Sequence, residues 1–516
     1  MAGAAVVAVA TVAAWQLSGT GDNGAAAPEP STTTRSTTTT STLPPLAPPY
    51  SQATKAENEK PGTAAWRLTN QGAVHDIEGY LNVTSAQRGD AVTLYANTIA
   101  PTFTVEAYRL GWYQGLGGRL IWTSPPVEGK QQAAASLITA TNTYEAKWSP
   151  TTTITVGNDW PVGSYLLKLV ASTGQQRWVP LTVRDDASNA SYVIVNSVTT
   201  WQAYNRWGGC SLYDCQGRPG GGNGSRSKMV SFDRPYDVGG DGAAASANEL
   251  PVVMRAEELN LDVTYMTSMD VDQRPQLLAQ HKAIVSLGHD EYWSKTMFDG
   301  TEAARDAGVN LLFLGANAVY RQVRFEPSAV GPDRHMVNYR STSDPIRATD
   351  PSRTTVSFRE SPVNRPEAQL IGQQYQCNPV RADGIVVEPD NWIWSGAGVG
   401  PGAHIEILVG SEYDQYIHGQ GGPDNVEIVA HSPVSCHGRA GYSDVTYYTA
   451  PSGAGVFATG TNYWVSKLQP PDFPETAFNP IVLKATQNVL LAFGAGPAGK
   501  EHPSVPNWKD LPGTGG

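Results

Sequence analysis

The chain has 516 residues, 40% hydrophobic and 16% charged, with 14 Trp and 22 Tyr. That composition is globular and excludes a disordered or highly charged protein. The net charge of −11, with no basic run, excludes nucleic-acid binding, which needs a cationic footprint.

Residues 1–17, MAGAAVVAVATVAAWQL, are almost wholly apolar. They read as the core of a signal peptide or as a short membrane anchor, with the segment running to residue 27. The usual basic start is missing, so cleavage near Ala25–Ala27 and retention as an anchor both stay open. Residues 28–50 form a Ser/Thr/Pro tract, and a linker of this character is expected over 28–60, because such a composition buries no core.

From 70 to 185 short β-branched and aromatic runs follow one another, among them AVTLYANTI, FTVEAYRLGWY, TTITV and GSYLLKLVAS. Gly, Pro and Asn break them apart, which predicts an all-β, immunoglobulin-like sandwich. From 190 to 496 the pattern changes to strands alternating with helices. YVIVNS, LDVTYMTS, AIVSLG and NLLFLGAN are apolar strands. ANELPVVMRAEELN, QLLAQHK and KTMFDGTEAARDAG are helical, and NPIVLKATQNVLLAFG closes the domain. Continuous apolar strands with helices between them predict an α/β domain with a mostly parallel sheet covered on both faces. Residues 497–516, rich in Gly and Pro, are expected to be a loose tail.

The four cysteines are Cys210, Cys215, Cys377 and Cys436, with no Cys-x-x-Cys spacing. In an exported chain they favour disulfides over a zinc site. Four cysteines allow about three pairings; one of them joins Cys210 to Cys215 and Cys377 to Cys436.

In parallel sheets the ligand crevice lies at the strand C-terminal ends. Two loops fall there. The first is Gly288-His289-Asp290-Glu291-Tyr292-Trp293, in which several functional side chains follow a buried strand. It reads as an active-site loop; the alternative is a helix N-cap with an acidic first turn. The second is Gly315-Ala316-Asn317-Ala318-Val319-Tyr320-Arg321. Neighbouring strands are expected to bring Tyr292 and Tyr320 together, and two phenolates with a carboxylate make a hard-donor site that suits iron. Ordinary aromatic packing is the competing reading of either tyrosine. Glu412 and Asp414, His404 and Glu406, and His437 are further candidates. The segment 199–214, with Trp201, Tyr204 and Tyr213, is expected to wall a pocket or to pack as an Ω-like loop. No G-x-S-x-G elbow, P-loop, dinucleotide fingerprint or H-E-x-x-H occurs, and neither strand-end loop carries a cysteine nucleophile.

Taken together, GWYQGLGGRLIW, PVGSYLLKL, TTWQAYNRWGG, SFDRPY, GHDEYWS and LLFLGANAVY resemble proteins related to the large (beta) subunit of N,N-dimethylformamidase, in an exported branch. The resemblance implies an α/β domain related to class I glutamine amidotransferases without their cysteine. It also implies a mononuclear iron held by two tyrosines and a glutamate. Carried over, Tyr292 and Tyr320 are the tyrosines, and Glu412, with Glu406 behind it, is the carboxylate. Asp290 stands where the family loop has proline, and the characterised enzyme works inside the cell with a small subunit. A changed substrate is therefore expected.

The expectation is an exported, metal-dependent hydrolase of a C–N amide bond, acting on a small-molecule or cell-envelope substrate. Glu291 or His289 would be its general base, and Asn317 would orient the substrate or an oxyanion. The rival reading is a non-catalytic glycan or cell-wall binding protein at the cell surface.

Overall fold

In the computed structural model, residues 49–215, 225–237, 241–470 and 477–515 are described. The expected signal or anchor and the Ser/Thr/Pro tract up to residue 48 lie outside them. Among the described residues no helix is long and apolar enough to cross a membrane.

The N-terminal strands form two main sheets. Ile77–Leu81, Ala91–Thr98 and Thr152–Thr155 pair antiparallel. The second sheet runs in the order Ser85–Ala86, Gln176–Val183, Gly163–Ala171, Thr102–Leu110, Gly118–Thr123. Alternation drives their assembly. In Thr102–Leu110, Phe103, Val105 and Ala107 are buried while Thr102, Thr104 and Glu106 stay partly wet. Inward residues of both sheets, such as Val92, Leu94, Val105, Leu167 and Val179, meet in one apolar core, as period-two patterning requires.

A seven-stranded sheet follows, in the order Val263–Thr267, Tyr192–Asn196, Ala283–Ser286, Asn310–Phe313, Gly455–Ala458, Arg439–Thr449, Glu427–Cys436. The first five strands are parallel and the last two antiparallel. Successive residues feed opposite faces. Ile194, Val285, Leu312 and Phe457 enter one core with the helices Asp241–Glu258 and Pro480–Ala495. Val193, Ile284, Leu311 and Val456 enter another with Lys295–Asp306. Burial on both faces explains why these strands read as unbroken apolar runs.

Residues 45–516 cluster into one compact unit. The Arg109 guanidinium, from the second N-terminal sheet, clasps both oxygens of Glu257, from the helix Asp241–Glu258, at 2.6 and 3.0 Å. The end of the expected linker is also structured. Gln52–Asn58 is a helix capped by Ser51, and the Asn58 side chain donates to Glu257 at 2.9 Å. The expected loose tail is ordered as well: Trp508 and Thr514 are buried, and the Gly513 carbonyl accepts from Gln415 at 2.9 Å. Composition shows the missing periodicity of such segments but not their docking partners. The disulfides are Cys210–Cys215 and Cys377–Cys436, a pattern of oxidising compartments.

Candidate active site

Ser286 and Phe313 are register partners at the ends of two parallel strands, so the two loops that follow run side by side. The Val319 N–H donates to the Asp290 carbonyl at 3.0 Å, and the Tyr320 and Arg321 N–H groups to the Glu291 carbonyl at 3.1 and 2.9 Å. The approach is close enough to dictate glycine. A Cβ on Gly315 would stand 1.4 Å from the Gly288 carbonyl oxygen. Val319 adopts φ +56°, a strained conformation for a β-branched residue that surroundings must impose. A third element completes the frame: Thr200 Oγ1, on the helix Val198–Tyr204, accepts from the Glu291 N–H at 3.0 Å.

Two polar clusters result. In the first, the Tyr204 and Tyr213 hydroxyls donate to Glu291 Oε2 at 2.9 and 2.5 Å and stand 2.6 Å from each other. Their rings stack, 4.3 Å between centroids, and Arg340 lies 4.4 Å over Tyr213. Burial, then the Glu291 charge, pushes both phenols well above their usual range. In the second cluster His289 Nε2 lies 3.3 Å from Glu412 Oε2 and 3.7 Å from Glu291 Oε2. Burial opposes the imidazolium, but Glu412, Glu291 and Asp290 override it and raise His289 to about 9. Glu412 Oε1 accepts from Asn378 Nδ2 at 2.8 Å, while Glu412 Oε2 is buried without a hydrogen bond. Burial raises the Glu412 carboxyl, yet His289, Asn378 and Asn317 together hold it below the ordinary range.

Asn317 sits at φ +60°. Its N–H donates to Asp414 Oδ1 at 2.8 Å, and its buried Oδ1 has no partner. Asp290 is buried, accepts from Ser286 at 2.8 Å, and is raised by that burial to about 6.

The structure thus brings His289, Glu291, Asn317 and Glu412 to one place. Of the expected ligand set, Glu412 lies in the second cluster, and Tyr292 stands edge-on to Tyr204 and Tyr213, 6.5 and 6.4 Å between centroids. Arg340 donates to the Tyr292 hydroxyl at 2.5 Å. Tyr320 packs on Tyr375, 5.1 Å between centroids, with Arg321 and Arg359 over its ring at 4.4 and 5.0 Å. Among the described residues no hydrogen bond or ring contact joins Tyr292, Tyr320 and Glu412 to one another. Tyr292 pairs with Arg321 across parallel strands, and Tyr320 stands just before the second of them; its neighbour Tyr375 is raised by burial and then by the Glu412 and Glu291 charges. Glu406 and His404 are exposed, as is His437, whose Nε2 lies 2.8 Å from the Asn378 carbonyl.

Two phenols and one carboxylate converge in Tyr204, Tyr213 and Glu291, with Tyr292 edge-on to both rings. Oxygens this close share protons or share a cation. Three hard oxygen donors with a flanking imidazole suit iron, so this set fits the group the family resemblance implies. Tyr213 is positioned by the Cys210–Cys215 loop that contains it. Arg340, Tyr375 and Asn378 carry no sequence signal of their own; only the fold brings them here.

A cavity of about 360 Å³ opens beside the two clusters, lined by His289, Glu412, Tyr204, Trp201, Tyr463 and Gln469 among others. Its size suits a small-molecule ligand.

No curated protein matches the chain. Among solved structures, a cycloisomaltooligosaccharide glucanotransferase of Paenibacillus sp., complexed with cycloisomaltoheptaose, is 9% identical over 49% of this chain. The match spans 57% of that chain, with a TM-score of 0.16, below that of a shared fold. A family model covers residues 104–477, from the N-terminal sheets to beyond the cavity. The chain belongs to the family described as N,N-dimethylformamidase beta subunit-like, C-terminal.

Proposed function

We propose that this protein is an exported hydrolase of a C–N amide bond, working at the cavity beside His289 and Glu412. The reading takes the first two sheets as an immunoglobulin-like sandwich and the seven-stranded sheet as glutamine-amidotransferase-like. The observation that carries it is the His289–Glu412 pair, 3.3 Å apart on the cavity wall, with Glu412 Oε2 free of any hydrogen bond. Family membership supports the reaction class, and two disulfides support export.

In the reaction, Glu412 Oε2 takes a proton from a water molecule whose oxygen adds to the amide carbon. The C–N bond then breaks, His289 gives the departing nitrogen its proton, and the products are a carboxylic acid and an amine. This reverses the sequence expectation for His289, which acts as an acid beside a carboxylate base. Asn317 lies beside Glu412 and helps to orient it. Iron, when held by Tyr204, Tyr213 and Glu291, would supply Lewis acidity toward the carbonyl oxygen.

The test is release of amine from a panel of simple amides, formamide and acetamide included, by the full chain produced with iron. Glu412→Gln is expected to lower turnover by about 10²–10⁴-fold, the usual worth of a general base, with Tyr320→Phe near wild type. Turnover indifferent to Glu412→Gln, or none with any amide of the panel, rejects the proposal.

A further inference from the structure

The cavity is larger than a simple amide requires. Its volume of about 360 Å³ equals roughly a dozen water molecules at about 30 Å³ each. Beyond the acid–base pair, the remaining wall determines what else the substrate carries.

Three features of that wall decide the matter. The first is charge. Among the described lining residues there is no Lys or Arg, and His289 already faces Glu412 at 3.3 Å. A substrate carboxylate or phosphate would enter without a partner, at a desolvation cost that disfavours it. The second is the hydrogen-bond inventory. Gln469 Oε1 is a buried acceptor with no donor, and Glu412 Oε2 faces only the His289 ring, without a hydrogen bond. Unmet buried acceptors disfavour the empty state and favour a ligand that brings donors. Ser411, Asn462 and Ser466 add hydroxyl and amide groups along the same wall. The third is the aromatic surface. Tyr463 is half-buried and faces the cavity, with Trp201 and Tyr204 nearby. An aromatic face takes C–H-bearing rings while the polar groups around it take hydroxyls.

We propose that the cavity receives a neutral, hydroxyl-rich N-acyl group of the amino-sugar class, with its amide at Glu412 and His289 and its sugar ring against Tyr463 and Gln469. The proposal rests on the hydrolase reading for the placement of the amide, and on the cavity wall alone for the sugar.

The experiment is calorimetric binding of N-acetylglucosamine to the full chain, beside acetamide, N-acetylalanine and N-acetylputrescine, with acetate release followed in parallel. N-acetylglucosamine is expected to bind at least about ten-fold more tightly than the other three, a difference of about 1.4 kcal/mol. Tyr463→Ala and Gln469→Ala are each expected to weaken that binding without altering the affinity for acetamide. Because the Tyr463 ring also fills the space beside Gly410, Gln469→Ala is the variant that stands if Tyr463→Ala does not fold. Preference for the anionic N-acetylalanine or the cationic N-acetylputrescine overturns the proposal, as does equal binding of acetamide. The two readings fail separately. Sugar-selective binding with no amide of either panel cleaved keeps this inference and rejects the hydrolase, while unselective amide hydrolysis does the reverse.

Discussion

The Tyr213 hydroxyl stands 2.5 Å from Oε2 of Glu291 across 78 residues of sequence. With Tyr204 at 2.9 Å from the same oxygen, it makes a place in the candidate site where two phenols meet a carboxylate. The expected outcome of loading iron is a visible tyrosinate absorption. Tyr204→Phe and Tyr213→Phe should each remove or shift the band and reduce bound iron, whereas Tyr292→Phe and Tyr320→Phe should leave both unchanged. Iron content by mass spectrometry and the optical spectrum decide it. A band lost only in Tyr320→Phe would assign the metal elsewhere.

Much of this architecture is legible in the chain. The strands Ala283–Ser286 and Asn310–Phe313 read as apolar runs, and the strand-end rule leads straight to His289, Glu291 and Asn317. The tyrosine pair marks the limit of that rule, because adjacency of loops does not determine which side chains touch. Tyr292 pairs with Arg321, while Tyr320 stands just outside that strand against Tyr375, and no rule of sequence sets the register between parallel strands joined by a helix. Tyr204 and Tyr213 are visible as a pocket wall, yet their partner Glu291 lies 87 and 78 residues away in sequence. Asn378 shows nothing in sequence, because its part in the site comes from the Glu412 carboxylate that it meets in the fold.

The disulfides act on the site unequally. Cys377–Cys436 closes a separation of 59 residues, worth about 4 kcal/mol in the chain-entropy model, against about 2 kcal/mol for the five-residue Cys210–Cys215 loop. Cys377→Ser with Cys436→Ser should therefore lower the unfolding midpoint more. Cys210→Ser with Cys215→Ser should instead weaken iron binding, because Tyr213 lies inside that loop. Thermal unfolding and metal affinity, measured on both double variants, separate the effects. Equal iron affinity in the two would reject the assignment of Tyr213.

The clasp between Arg109 and Glu257 predicts a large stability effect far from the site. Glu257 also accepts from Tyr265 at 2.6 Å and from Asn58 at 2.9 Å, and both partners of the pair are almost fully buried. Glu257→Ala leaves a buried guanidinium without its counter-charge, a loss of about 3–5 kcal/mol. Replacing both members with leucine should cost less than the single change, since it leaves no orphaned charge. Denaturant unfolding of wild type, single and double variants measures the difference. A double variant less stable than the single would contradict this account.

Glu249 supplies a pH signature. Its carboxyl accepts from Asn196 at 3.1 Å, Trp201 at 2.9 Å and the Ser197 N–H at 3.3 Å, but burial dominates and raises it to about 8. The folded state therefore keeps a proton that the unfolded chain releases near 4.5. The resulting stabilisation is complete below the unfolded value and drains away as pH rises toward 8, with a limiting slope of about 1.4 kcal/mol per pH unit for one proton. The unfolding midpoint of the wild type should fall between pH 5 and pH 8 for this reason. Glu249→Gln, isosteric and never charged, should flatten that decline and leave the variant more stable than wild type at pH 8. Parallel slopes in the two proteins would mean that Glu249 ionises freely within the fold.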